Sequence, residues 1–147
     1  MDYEESFADY CQLVSLQAPH VDVFLIETMS NITEAKAALA AVKETAVPGY
    51  VGLTITDDGT NTLRSGETLE QAIEQLLPLG PAGLMINCSM PEVVSAAMDQ
   101  LKDLPIPFGG YANGFTSIDA LRPGGTVASL SARSDLSPDA YADFACS

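Results

Sequence analysis

The chain has 147 residues, 47% apolar and 18% charged, which suits one domain with a core and excludes a disordered tail. Six Lys and Arg against twenty Asp and Glu give a formal charge of −14, the wrong sign for nucleic acid or an anionic membrane surface. No apolar run reaches the ~18–20 residues of a membrane span, and the acidic residues 1–6 lack the basic and apolar regions of a signal peptide. A cytoplasmic protein is expected. Cysteines at 11, 88 and 146 are odd in number and widely spaced, with no C-x-x-C, which favours a reduced compartment over a disulfide framework.

Tyr3, Phe7, Cys11 and Val14 recur at helical spacing, so residues 3–17 read as an amphipathic helix broken by Pro19 and His20. Residues 22–27, DVFLIE, form a short apolar run of the kind expected for a strand buried on both faces. Ser30 or Asn31 caps the next helix, with Glu34 as box partner and an Ala-rich body to Lys43. Pro48 and Gly49 precede a second strand over 50–56, and DDGTN at 57–61 is a turn by composition. Residues 67–77 read as a helix ended by Pro78, Gly80 and Pro81. A third strand spans 82–87. Ser89, Pro91 and Glu92 supply a cap, an early proline and a box partner for a helix to Leu101. Residues 105–111 form a fourth, weaker strand, a Gly/Ser/Pro-rich loop runs to Leu136, and Ser137-Pro138 opens a last helix.

Strands alternating with helices define α/β architecture with parallel strands, either a doubly wound sheet or a (β/α)8 barrel. The glycine fingerprints of phosphate-binding loops are absent, and the doublets Gly109-Gly110 and Gly124-Gly125 are expected to serve backbone turns. In both architectures chemistry collects at the C-terminal ends of strands. Here those ends carry Glu27-Thr28, then Thr54, Thr56 and Asp57, then Asn87-Cys88, then Tyr111 and Asn113. Cys88 lies just ahead of a helix start, where a thiolate can serve as nucleophile or metal ligand, or it is a small buried apolar residue. The lone histidine, His20, precedes the first strand and falls on the opposite rim from any nucleophile at Cys88.

Four segments, DVFLIETMSNITE (22–34), DGTNTLRSGE (58–67), GLMINCSMP (83–91) and YANGF (111–115), resemble the homocysteine S-methyltransferase family. The resemblance implies a (β/α)8 barrel with zinc at its C-terminal rim and methyl transfer from an activated sulfonium or ammonium donor to homocysteine, giving methionine. Carried over, Cys88 is the first of three zinc cysteines, and Glu27 and Asn87 hold the amino acid part of homocysteine. Thr54, Thr56 and Asn113 are further pocket residues on that rim. Arg64, Ser65, Gly66 and Glu67 are expected to organise a loop and helix start. Zinc held by three thiolates keeps a fourth tetrahedral position for the substrate sulfur.

The family's Gly-Gly-Cys-Cys motif, which brings the other two ligands, is not in this sequence, and Cys146 matches neither of them. Residues 1–147 are therefore expected to form one partial barrel domain, an incomplete (β/α)8 segment resembling its fourth to seventh strands, inactive by itself. Such an arc leaves two edge strands and an inner face uncovered, which points to a homodimer through the exposed barrel edges. The alternatives are a non-catalytic half-barrel that binds or interacts, and an unrelated half-barrel enzyme needing a base or phosphate site.

Overall fold

The computed structural model describes residues 2–116, 126, 128 and 130–146. Helix α1 spans Tyr3–Gln17 and runs into a 3-10 turn at Ala18–His20. Then follow β1 (Phe24–Met29), α2 (Ile32–Lys43), β2 (Gly49–Leu53), α3 (Leu69–Leu76), β3 (Gly83–Asn87), α4 (Pro91–Leu101), β4 (Phe108–Tyr111) and α5 (Pro138–Cys146). All strands are parallel and lie in chain order, β1-β2-β3-β4. A doubly wound sheet reverses its order at a switch point, whereas a barrel does not. The four strands and their helices are thus an incomplete barrel segment, as the sequence predicts.

One face of the sheet carries the core. Ile26, Val51, Leu53, Leu84 and Ile86 are buried beneath α2, which packs on β1 and β2, and α4, which packs on β3 and β4. Helices α1 and α3 flank α2. Gly110 permits close approach here: a Cβ on it would stand 2.6 Å from Val94 Cγ1. Gly109 and Gly110 therefore lie inside a strand rather than in a turn, while Gly124 and Gly125 lie outside the described residues.

The other face, a barrel's interior, is open at its margin. Leu25 is 46% exposed and Glu27 is exposed, so β1 alternates instead of being buried on both faces as its apolar run suggests. The cause is its place at the edge of the sheet, paired among the described residues with β2 alone. On the same face Tyr50 lies over Gly83, whose Cβ would meet the ring at 2.5 Å.

Local signals set the helix ends with two surprises. Asn31 caps α2 as predicted, its Oδ1 accepting from Glu34 N at 2.8 Å. Helix α3 begins two residues later than the pattern suggests, because Thr68 and Gln71 form a capping box. Ser89 does not cap α4: the N-cap is Met90, with no side-chain cap bond. Cys88 takes φ +52° and turns the buried Ser89 inward, where its hydroxyl accepts from Ile55 N at 3.0 Å and lies 3.1 Å from the Ile55 carbonyl. Ser137 does serve the start of α5, accepting from Ala140 N at 3.2 Å.

Candidate functional site

Four strand ends converge on one rim. Parallel pairing brings Asn87 beside Tyr111, and hydrogen bonds tie the end of β3 to the end of β1 across β2. The Asn87 carboxamide crosses β2 over Gly52, where a Cβ would stand 2.9 Å from Asn87 Oδ1. Glycine at that place is what lets the two strand ends communicate.

Two backbone outliers mark the junction. Thr28 has φ +60° and Cys88 φ +52°. A β-branched residue in the left-handed region is a genuine outlier, and such strain of ~1–3 kcal/mol persists only where the surroundings over-determine it. Here they do. Thr28 N–H donates to Asn87 Oδ1 (3.1 Å), Asn87 Nδ2 donates to Thr28 Oγ1 (3.0 Å) and lies 3.4 Å from Cys88 Sγ, and Thr28 Oγ1 donates to that sulfur at 3.3 Å.

Glu27 is the exposed carboxylate of the rim, and Tyr111 donates its phenolic hydrogen to Glu27 Oε1. Burial first, then the Glu27 carboxylate, holds the Tyr111 phenol well above its usual range, with the nearby Cys88 adding to the effect. The site thus presents an exposed carboxylate steadied by a phenol, beside a half-buried thiol held by an amide and a hydroxyl.

The other predicted residues are placed differently. Asn87 is fully buried, its Nδ2 3.0 Å from Thr28 Oγ1 and 3.4 Å from Cys88 Sγ and its side chain a further partner of the Tyr111 phenol, so it supports the site from below. Thr54 is buried as well; its hydroxyl accepts from Arg64 Nε at 3.2 Å and lies 3.4 Å from the Cys88 carbonyl. Thr56 is turned into the following turn, bonded to Asp58, Thr60 and Thr62. Asn113 accepts from Phe115 N at 2.9 Å, and its backbone N–H donates to the Ser89 carbonyl at 3.0 Å. The 64–67 segment orders a loop and a helix start, and the helix it serves is α2. Glu67 Oε2 accepts from Ile32 N at 3.1 Å and from the Ser65 hydroxyl, and Ser65 N–H reaches the Ser30 carbonyl at 3.1 Å. A carboxylate there also meets the positive end of the helix dipole.

Among the described residues no group of three or more His, Cys, Asp or Glu side chains stands close enough to hold a metal ion. Cys88 offers one thiol, while Cys11 lies in α1 and Cys146 in α5. The donor set present does not fit a three-thiolate zinc site. The sequence places Thr28 and Tyr111 at strand ends without assigning them a role. Their positions on the rim were the available signal, and their partners were not.

The fold and its rim define a class: a partial TIM barrel with a polar site at the C-terminal ends of its strands. The homocysteine S-methyltransferase family profile matches residues 1–146, and the chain belongs to that family. Two crystal structures of the homocysteine methyltransferase MmuM from Escherichia coli share the fold. The apo form aligns at TM-score 0.68 with 23% identity, covering 77% of this chain and 44% of that one. The oxidised form aligns at 0.62 with 21% identity, covering 77% and 39%. This chain therefore spans less than half the length of those structures. No curated protein matches it.

Proposed function

We propose that the chain carries the homocysteine-facing rim of a homocysteine S-methyltransferase and binds the amino acid end of homocysteine without turning it over by itself. The observation that carries this is the pairing of an exposed carboxylate, Glu27, with the Cys88 thiol on one rim. An α-amino acid brings an ammonium that Glu27 would accept, in an orientation fixed by Tyr111. Its own thiol would then extend along the rim toward Cys88. Thr54, Asn87 and Asn113 support the loops that carry these groups, and Thr56 orders the turn beside them.

In the complete reaction the homocysteine thiolate attacks the methyl carbon of a sulfonium or ammonium donor. A new S–C bond forms, the old bond to the donor heteroatom breaks, and the donor leaves as a neutral thioether or amine. The thiol proton goes to solvent. Cys88 is the one thiol this chain would bring to the family's zinc site, and one thiol does not hold that metal. The single thiol favours the binding-module reading for the chain by itself.

The edges give the reading its quaternary form. Two copies related by a two-fold axis, β4 of each beside β1 of the other, would place eight parallel strands in a ring with both rims on one side. We assign the whole chain to one partial barrel domain. Its free thiols suit the reducing cytoplasm, and no helix among the described residues is long and apolar enough to cross a membrane.

Calorimetry with L-homocysteine tests the reading. The unmodified chain is expected to bind, and Glu27→Gln to weaken binding at least tenfold, since a charge-assisted bond contributes about 1.5–3 kcal/mol. Equal affinity in Glu27→Gln would remove Glu27 from the site, and no heat with the unmodified chain would remove the substrate.

A further inference from the structure

We infer that Thr28 is a positioning residue whose hydroxyl, together with the Asn87 carboxamide, clamps the Cys88 sulfur at the rim. The inference deepens the proposed function and rests on it for the identity of the substrate, though the clamp itself stands on geometry. Two donors meet at one sulfur: Thr28 Oγ1 at 3.3 Å and Asn87 Nδ2 at 3.4 Å. The same two side chains bond each other at 3.0 Å, and Thr28 N–H closes the ring on Asn87 Oδ1 at 3.1 Å. Both Asn87 Nδ2 contacts lie inside this ring, the Tyr111 phenol is a further hydrogen-bond partner of the same side chain, and Asn87 is 0% exposed. A carboxamide so buried acts through Cys88 and Tyr111 and not by touching substrate.

The backbone is bent to make the ring. Thr28 takes φ +60°, outside the extended range of the strand it sits in, and that turn brings its N–H and its hydroxyl onto Asn87. Gly52 leaves the path open beneath. Strain in a β-branched residue, a glycine at the crossing and four mutually consistent hydrogen bonds serve one outcome, a sulfur with a fixed direction.

Thr28→Val tests this well, because it keeps the branched shape and removes the hydroxyl. In a chain carrying Cys11→Ser and Cys146→Ser, the Raman S–H stretch of Cys88 reports hydrogen bonding at that sulfur alone. Thr28→Val is expected to move the band, and Thr28→Ser to leave it where the unmodified residue has it, with the urea midpoint recorded for each. Thr28→Ala, with less bulk, is read in the same way if the valine variant fails to fold. For L-homocysteine, Thr28→Val should lose roughly tenfold in affinity and Thr28→Ser less than twofold. An unmoved band in the folded hydroxyl-free variants overturns the clamp. A moved band in a chain that binds no homocysteine supports the clamp and overturns the substrate reading instead.

Discussion

The polar residues of the rim divide their labour, and Asp58 shows how a residue can be ionisable, close to a site and yet purely architectural. Its Oδ1 accepts from the Thr56 hydroxyl at 2.7 Å, the Thr60 hydroxyl at 2.7 Å and Thr60 N at 3.0 Å. The two threonine hydroxyl bonds, Thr56 first, hold its carboxyl down at about 2 against a usual 3.8. A depressed carboxylate contributes its stabilisation in full above the unfolded value and loses it as pH falls through the folded one. The turn over residues 57–62 should therefore hold its order from neutrality down to about pH 4 and lose it between there and pH 2. Carbon-detected NMR titration of the Asp58 carboxyl checks this, and Thr60→Val should move the midpoint back up toward the ordinary range. A midpoint near the usual value in the unmodified chain would show that the threonine ring does not persist in solution. The same ring holds the Thr56 hydroxyl within the turn, where Thr56 lines a shallow cavity with Asp57, Asp58 and Arg64.

At the scale of elements, the strands and helices were legible because each apolar run is short and each helix is periodic. Helix α1 matches its predicted bounds, and β3 and α4 match to within a residue. Legibility failed where a residue's partner is distant in sequence. Ser89 carries a cap signature, but its hydroxyl bonds Ile55, thirty-four positions away, because Cys88 adopts a positive φ that a local pattern does not encode. Thr28 fails for the same reason, its sulfur partner lying sixty positions on. Glu27 and Cys88 were readable as rim residues because strand ends in this architecture converge whatever the side chains do. The distinction is measurable. Thr68→Ala removes an exposed cap and should cost ~1 kcal/mol. Ser89→Ala strands the buried Ile55 N–H and should cost roughly 2–3 kcal/mol. Urea denaturation of both variants gives the comparison, and a smaller loss for Ser89→Ala would return it to the role of an ordinary cap.

The whole molecule poses a conflict between surface and charge. Its sheet ends in two parallel edges, with Leu25 46% exposed on β1 and Phe108 42% exposed on β4. Edge strands with apolar side chains pair readily unless something opposes them. What opposes them here is a formal charge of −14 on each copy. Two copies brought together repel at low salt, where the screening length is long, and much less once it falls to ~10 Å or below at 0.1 M and above. Apolar burial is insensitive to this screening and is strengthened by excluded salts such as sulfate. If the pairing of edges is real, self-association must therefore increase with ionic strength, opposite to the behaviour of a complex held by ion pairs. Sedimentation velocity from low salt to 0.5 M should show the average mass rising toward a dimer with both salt and protein concentration. Leu25→Lys adds a charge at the β1 edge and should abolish that rise, while leaving the far-UV circular dichroism unchanged. A monomer that stays independent of concentration at high salt would rule out pairing through these edges, and the rim would then belong to a single open arc.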